Sequence, residues 1–127
     1  GDIHAPGGLR KKYTPGTEKF LSYLEGKGSK LRYSGGFVPD INQILMKGKG
    51  VFFYPALKDA PSGKLRLLYE LNPMAFLIEH AGGSASNGKI PILDVKPGSL
   101  DHREPVYIGC SEDVKKAVEF LSGEESH

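Results

Sequence analysis

The sequence has 127 residues, of which 39% are hydrophobic and 25% are charged, and its formal net charge is +2. These values are typical of one soluble globular domain with its own core, and the length excludes two domains. No run of about eighteen apolar residues is present and no signal peptide is visible, so we expect no membrane span. The single cysteine, Cys110, excludes an internal disulfide and a thiolate zinc site.

The charges are distributed unevenly along the chain. Residues 1–70 contain 12 Lys and Arg against 6 Asp and Glu, whereas residues 71–127 contain 5 against 9. A basic first half suits an anionic ligand, but a solvated surface explains it about as well. No stacking-aromatic or recognition motif accompanies the basic residues, so we expect no nucleic-acid binding.

In the first half of the chain, turn signals separate one strand and two helices. A short extended piece leads into a glycine-containing loop, and a helix is predicted over residues 14–24 because Pro15 suits a first turn. A second helix is predicted over residues 37–46, preceded by Gly35–Gly36, whose free N–H groups suit an anion. Residues 51–54 are the clearest strand, and Pro55 closes it.

A helix that follows residues 64–71 is the centre of the second half. Asn72 is the predicted N-cap, Pro73 suits the first helical position, and Gly82 with Gly83 can end the helix in a left-handed conformation. Because the residues between these signals are apolar nearly all round, we expect a buried helix. Glu70 would then lie at its positive end.

The remaining residues predict further strands and a last helix. Residues 84–86 and 90–95 are predicted to be extended, and residues 106–110 form a strand. Ser111 is the predicted N-cap of the last helix, and the tail from residue 122 should fray. The alternation predicts an α/β fold, a layered sandwich of a mixed sheet flanked by helices, with residues 1–127 as one domain.

Two features resemble functional motifs without their chemistry. Residues 83–89 nearly match a phosphate-binding P-loop, but Ile90 stands where a magnesium-binding hydroxyl is needed, and a helix rather than a strand precedes it. We interpret this segment as a turn between strands. Cys110 ends an apolar strand with no histidine nearby in sequence, so we expect a buried structural thiol.

Six other residues form a more informative set. Arginine and lysine can bind phosphate oxygens, tyrosine hydroxyls can add hydrogen bonds, and a carboxylate can hold a divalent metal. Each residue alone is more often a surface charge or a half-buried ring. Together they suggest a sugar phosphate site made of Arg32, Tyr33, Tyr54, Lys64, Arg66 and Glu70. The chain contains no second acidic cluster, although metal-assisted phosphate hydrolysis normally needs several carboxylates.

The same residues lie in motifs that resemble the sugar bisphosphatases, namely fructose-1,6-bisphosphatase and sedoheptulose-1,7-bisphosphatase. The motifs are LRYSGGFVPDINQI at 31–44, FYPA at 53–56, KLRLLYELNPMAF at 64–76, EHAGG at 79–83, LDV at 93–95 and PVYIG at 105–109. They cover essentially the whole chain in order. The resemblance is to the C-terminal domain of that family, so the N-terminal domain, which in the family carries the acidic metal cluster, is expected to be absent from this chain.

The resemblance implies a role for individual residues. Glu70 matches the metal ligand that the C-terminal domain supplies, for Mg2+ or Mn2+. Tyr33, Tyr54 and Lys64 match residues that hold the phosphate remote from the reacting one. Arg32 matches an arginine that, in the fructose enzyme, reaches the neighbouring subunit's phosphate site, which implies a homo-oligomer (dimer or tetramer).

Two further matches bear on the sugar. Gly36 and Phe37 match backbone that contacts the sugar, although the family usually has Met at the position of Phe37. The segment APGGLR at 5–10 resembles the sedoheptulose enzymes, and Arg10 there would replace a hydroxyl contact to phosphate. FYPA and LNPM resemble the fructose enzyme instead. We therefore predict a metal-dependent hydrolase of sedoheptulose-1,7-bisphosphate, with fructose-1,6-bisphosphatase as the alternative and a cytoplasmic or plastid location.

A different class of function stays open on the sequence. Because this chain lacks the catalytic acids, it would be inactive by itself, and a non-catalytic sugar phosphate-binding module is the competing hypothesis. Its partners would be a sugar bisphosphate and, in an enzyme, the N-terminal domain of the same protein.

Overall fold

A computed structural model describes residues 3–7, 10–31, 37–47, 50–55, 65–96, 98 and 102–125. In chain order its elements are β1 (Ile3–Pro6), α1 (Pro15–Gly26), β2 (Lys30–Leu31), α2 (Phe37–Lys47), β3 (Val51–Tyr54), β4 (Leu65–Arg66), α3 (Asn72–His80), β5 (Ser84–Ser86), β6 (Arg103–Glu104), β7 (Val106–Gly109) and α4 (Ser111–Glu125). Short 3-10 turns occur at Arg10–Lys12 and Ile92–Asp94, and a π-helical turn at Leu67–Leu71. The helices predicted over residues 14–24 and 37–46 and the strands at 51–54 and 106–110 are confirmed to within two residues.

Five of the strands form one mixed sheet in the order β2-β1-β3-β7-β5. β1 is parallel to both β2 and β3, whereas β7 is antiparallel to β3 and to β5. The central pair has Phe52 opposite Ile108 and Phe53 opposite Tyr107. β4 and β6 form a separate two-stranded antiparallel sheet.

The two faces of the large sheet are covered by different helices. Phe53 and Tyr107 face a cluster with the buried residues of α1 and α4, and Phe20 of α1 packs on Phe53 with ring centroids 5.3 Å apart. Phe52 and Ile108 belong to the second cluster, with the buried residues of α2 and α3. Successive strand residues point to opposite faces, so apolar residues at consecutive positions cover both. The predicted layered α/β sandwich is confirmed.

The start of α3 differs from the prediction. Asn72 is the first residue of the α-helix rather than its cap, and the preceding Leu71 already has helical angles (φ −80°, ψ −46°). The π-helical turn leads directly into α3. No residue with extended backbone angles therefore precedes the helix, so none is available to act as its N-cap. Pro73 does lie in the first turn, as predicted.

α3 is buried on one side only, so the prediction of a buried helix is wrong. Met74, Ala75 and Ile78 are buried against the sheet, whereas Phe76 is 54% and Leu77 is 51% exposed. The apolar positions surround the helix, but the sheet lies on one side of it. The end of the helix is as predicted: Gly82 adopts φ +90°, and the Gly83 N–H donates to the carbonyl of Ile78 at 2.8 Å.

Four predictions near the C-terminus are corrected. Residues 90–95 do not form a strand: Ile92–Asp94 form the 3-10 turn, and Pro91 makes only an isolated bridge to Ser86. Ser111 is not the cap of α4: the carbonyl of Cys110 accepts the first helical bond, from Val114 N–H. Cys110 is half-buried rather than buried, and α4 continues to Glu125 instead of fraying from residue 122. No helix in the described part of the chain is long and apolar enough to cross a bilayer.

His4 is a buried titratable residue in β1. Its side chain is 3% exposed, and its Nδ1 lies 2.8 Å from Ser29 Oγ. Burial lowers the pKa of the imidazole below its ordinary value of 6.5, and the nearby carboxylates of Glu25 and Asp113 offset only part of this shift. The folded protein therefore keeps His4 neutral at a pH where the unfolded chain begins to bind a proton.

We expect the free energy of unfolding to fall as pH decreases through 6.5 towards the lowered pKa, because protons bind preferentially to the unfolded chain. His4→Gln retains a polar partner for Ser29 and does not titrate, so it should flatten this pH dependence. Thermal unfolding at about pH 7.5 and about pH 5.5 measures the effect. The control is His80→Gln, at an exposed histidine; equal flattening in both variants would contradict the role of His4.

Candidate functional site

β4 places Arg66, one of the predicted cations, in a small sheet beside the main one. Leu65 and Arg66 pair with Glu104 and Arg103 of β6 in antiparallel register. Leu65 is 9% exposed and anchors this ladder to the core cluster beneath α3. The backbone of Arg66, one of the basic residues predicted to bind phosphate, therefore lies in a strand whose other residue, Leu65, is buried.

The π-helical turn Leu67–Leu71 presents Glu70. Leu67 and Leu71 are both fully buried, whereas Glu70 between them is half-buried. Two buried leucines therefore hold the turn at both ends, with the half-buried side chain of Glu70 between them. π-turns recur at functional sites, because the wider turn changes the direction of a side chain relative to a regular helix. Glu70 lies two residues before the start of α3, at the end of the helix where the sequence predicts it.

Tyr54 closes β3 and packs against both core clusters. Its half-buried ring lies against Gly7, where an added Cβ would overlap the ring edge and lie 3.0 Å from Cγ. Gly7 is held in place by its own N–H, which donates to the Phe53 carbonyl at 2.8 Å, and by the Tyr13 hydroxyl, which donates to the Gly7 carbonyl at 2.7 Å. The glycine after β1 thus makes room for the tyrosine ring.

The described residues locate only part of the predicted site. Tyr54 and the leucines that hold the Glu70 turn pack on the same apolar cluster, so one core supports both. Four predicted residues lie outside the described residues: Arg32, Tyr33, Gly36 and Lys64. For three more the backbone is described but the side chain is not: Arg10 begins the 3-10 turn, Phe37 begins α2, and Arg66 lies in β4.

The donor set for a metal ion is incomplete among the residues that the structure describes. Glu70 offers the carboxylate oxygen that Mg2+ and Mn2+ prefer. Among the described residues, however, no group of three His, Cys, Asp or Glu side chains comes close enough to hold a metal. Asn72 Oδ1, two residues after Glu70, is buried and accepts no hydrogen bond from the described part of the chain. Glu70 fits one ligand position of such a site, and the described residues do not supply the other carboxylates.

The comparison with known families decides the relationship. The family described as "Fructose-1-6-bisphosphatase, C-terminal domain" matches residues 1–122. The chain belongs to this family. The resemblance to sugar bisphosphatases inferred from the motifs is therefore confirmed, and the fold agrees with it.

Individual relatives support the same assignment. The chain is 74% identical over 123 residues to a fructose-1,6-bisphosphatase class 1 of Trichlorobacter lovleyi, covering 97% of this chain and 39% of the relative. It is 71% identical over 123 residues to the protein of that name in Geobacter sulfurreducens, with the same coverage. A crystal structure described as a candidate sedoheptulose-1,7-bisphosphatase of Toxoplasma gondii superposes with a TM-score of 0.89 at 37% identity, covering 96% of this chain and 39% of that one. The chain thus spans about two fifths of the length of these relatives.

Sequence reasoning missed polar residues that surround the β4–β6 ladder. His102 and Glu104 interact at 2.6 Å, and Glu104 also accepts a hydrogen bond from Asn87 at 3.2 Å. Asn87 lies in the segment interpreted as a simple turn. No spacing or periodicity links these three positions, because the fold alone brings residue 87 beside residue 104. Only a prediction of strand β6 from the sequence could have pointed to His102 and Glu104.

The contact between Gly7 and Tyr54 gives a direct test of this part of the site. Gly7→Ala would force the ring of Tyr54 to move, and we expect the free energy of unfolding to fall by about 1–3 kcal/mol, as in other overpacked sites. Denaturant unfolding measures this change.

The matched control is Gly26→Ala. An added Cβ at this last residue of α1 meets no atom within 4 Å. We expect Gly26→Ala to leave stability unchanged or to raise it by up to about 1 kcal/mol. Equal stability of the two variants would show that Gly7 is not required for the Tyr54 packing.

Proposed function

We propose that this chain is the C-terminal part of a fructose-1,6-bisphosphatase, which hydrolyses one phosphate ester of fructose-1,6-bisphosphate. The observation that carries the proposal is the identity of 74% and 71% to proteins named fructose-1,6-bisphosphatase class 1. The structure described as a candidate sedoheptulose enzyme is only 37% identical. The preference for sedoheptulose-1,7-bisphosphate is therefore not confirmed, and similarity favours the fructose alternative.

The packing of Gly7 also weakens the argument for the longer sugar. Small residues after β1 would leave room for the longer, seven-carbon substrate. At Gly7 the space is filled by the ring of Tyr54, so its small size serves internal packing. The position of Arg10 at the start of the 3-10 turn is equally compatible with a phosphate of either sugar.

In the proposed reaction this chain binds and orients the sugar bisphosphate. Tyr54 and the residues Tyr33, Lys64 and Arg66 would hold the phosphate that does not react, with contributions from Arg10 and, across a subunit interface, from Arg32. The backbone of Gly36 and Phe37 would contact the sugar. Fixing the remote phosphate places the reacting one within reach of the metal and a water molecule, which lowers the entropic part of the barrier.

Glu70 would supply one ligand to a divalent metal, Mg2+ or Mn2+, and the part of the protein outside this chain would supply the others. The metal, when bound, polarises the reacting phosphate and activates water. This division explains why the described residues contain one edge of a metal site and no complete cluster. The partners we propose are this second domain and further copies of the enzyme, in the cytoplasm, as for a bacterial enzyme of central carbohydrate metabolism.

The substrate assignment is tested on the full-length enzyme with Mg2+. We expect kcat/KM for fructose-1,6-bisphosphate to exceed that for sedoheptulose-1,7-bisphosphate by about tenfold or more, since a substrate of the wrong size typically costs about 1–3 kcal/mol in the transition state. Phosphate release with each sugar measures the ratio. A ratio in favour of the sedoheptulose substrate would restore the other assignment.

The 127-residue chain alone serves as the control for the division of the site. It should release no phosphate from either sugar. Turnover by the isolated chain would contradict the shared metal site, whereas an inactive full-length protein that still binds the sugar would favour a non-catalytic binding module.

Glu70→Gln tests the metal ligand. In the full-length enzyme it removes a ligand charge and leaves the phosphate-binding groups in place, so the Mg2+ concentration at half-maximal activity should rise about tenfold or more, with a smaller change in KM for the sugar. Glu79→Gln, at an exposed carboxylate on α3, is the matched control. If both variants titrate with Mg2+ like the parent, Glu70 is not a ligand.

A further inference from the structure

A hydrogen-bond network joins three separate segments of the chain beside the β4–β6 ladder. His102 Nε2 lies 2.6 Å from Glu104 Oε1, and Asn87 Nδ2 donates to Glu104 Oε2 at 3.2 Å. The Gly98 N–H donates to His102 Nδ1 at 2.9 Å. Both His102 and Glu104 are partly buried, with side chains 24% and 16% exposed. Bonds at such sites are shielded from water and contribute more than exposed ones.

The direction of each bond in this network is fixed by backbone donors. Gly98 N–H can only donate, so His102 Nδ1 must accept and the ring proton must be on Nε2, from where it is donated to Glu104. At the other end, the N–H groups of Lys89 and Ile90 both donate to Asn87 Oδ1 at 2.9 Å. The Asn87 amide therefore cannot flip, and its NH2 group must face Glu104.

Residue 104 must consequently accept hydrogen bonds at both of its outer atoms. A carboxylate does so, whereas a glutamine presents a donor at one of the two positions. If that donor faces Asn87, two NH2 groups meet. If it faces His102, the ring proton must move to Nδ1, where it meets the Gly98 N–H. Every arrangement of a glutamine at position 104 leaves one pair of donors facing each other.

The ladder next to this network has little stability of its own. β4 and β6 have two residues each, and such isolated pairs are marginal in water. His102 adds one backbone bond, since its carbonyl accepts from Leu67 N–H at 2.8 Å. Leu67 is the first residue of the turn that presents Glu70, so His102 touches both the network and the turn.

We propose that Glu104, with His102 and Asn87, is a positioning residue for the substrate and metal site, because it locks β6 to the 87–90 turn and to Gly98 and thereby holds β4 and the Glu70 turn in register. This inference rests on the proposed function for its kinetic consequence. These residues do not touch substrate in the proposal. They fix the strand and turn that carry the groups that do.

The test uses the full-length enzyme and a pair of compensating variants. Glu104→Gln leaves two donors facing each other, and Asn87→Asp places two carboxylates against each other. In the double variant, the new carboxylate at position 87 still accepts from the N–H groups of Lys89 and Ile90. Its other oxygen accepts from the glutamine NH2 group at position 104, and the glutamine oxygen accepts from His102. Every donor again has an acceptor, so the double variant should recover what each single variant loses.

We expect each single variant to raise KM for fructose-1,6-bisphosphate about tenfold, which corresponds to about 1.4 kcal/mol, with a smaller change in kcat. Amide hydrogen exchange in the segment 65–71 should be faster by a similar factor. The double variant should return both quantities to within about threefold of the parent. His80→Ala is the control, because its ring is exposed and bonds only to the backbone carbonyl of Phe76 among the described residues.

Two results would overturn the proposal. The first is a folded single variant whose KM and exchange in segment 65–71 both equal those of the parent. The second is a double variant no better than the single ones, which would mean that the bonds are not directional in the way described. If Glu104→Gln fails to fold, Asn87→Asp and the double variant still decide between these outcomes. Lack of activity in the parent would refute the proposed function, whereas the exchange measurements would still test the network.

Discussion

The antiparallel pair of β3 and β7 is the constraint on which the rest of the structure depends. Both strands are buried on both faces, and their contact is so close that a Cβ on Gly109, at φ +148°, would overlap the carbonyl of Gly50. The Cys110 N–H donates to that same carbonyl at 2.7 Å. This approach fixes the register at one end, and through it the stacking of Phe53 on Tyr107 with ring centroids 5.7 Å apart. The helices of both layers then pack on a sheet whose register cannot shift.

The site is built where this rigid pair meets its less regular neighbours. Tyr54 is the last residue of β3, opposite Val106 of β7. The Glu70 turn is held by Leu67 and Leu71 on the cluster that also contains Phe52. Burial of apolar surface thus positions the polar groups. Each Å² of apolar area removed from water stabilises the fold by about 25 cal/mol. The two-residue ladder of β4 and β6 is anchored to the same cluster by Leu65, and the directional hydrogen bonds of His102, Glu104 and Asn87 lie beside it. The same site is therefore supported by packing on one side and by polar contacts on the other.

Much of the fold could be predicted because its signals are local. Residues 51–54 and 106–109 are short apolar runs, and a glycine or proline ends each of them. α3 is the informative failure. Its residues are apolar all round, and the sequence alone cannot show that Phe76 and Leu77 face outward while Met74 and Ile78 face the sheet. The predicted N-caps Asn72 and Ser111 were also wrong, because both residues are already part of their helices. The preceding turn decides which residue is the last one outside a helix, and this residue is the N-cap.

The candidate site was predictable only as far as its motifs extend. Glu70 and Tyr54 stand in motifs, and the structure places them on one core. The residues of the Asn87, His102 and Glu104 network follow no periodicity and carry no recognisable spacing, because they are joined by tertiary contacts between loops. Their chemistry is nevertheless strict: backbone N–H groups at Gly98, Lys89 and Ile90 fix every donor and acceptor, so that a carboxylate fits position 104 and its amide does not. A motif search overlooks residues whose identity is set by the direction of their hydrogen bonds. Such residues can be found from the hydrogen-bond geometry of the structure.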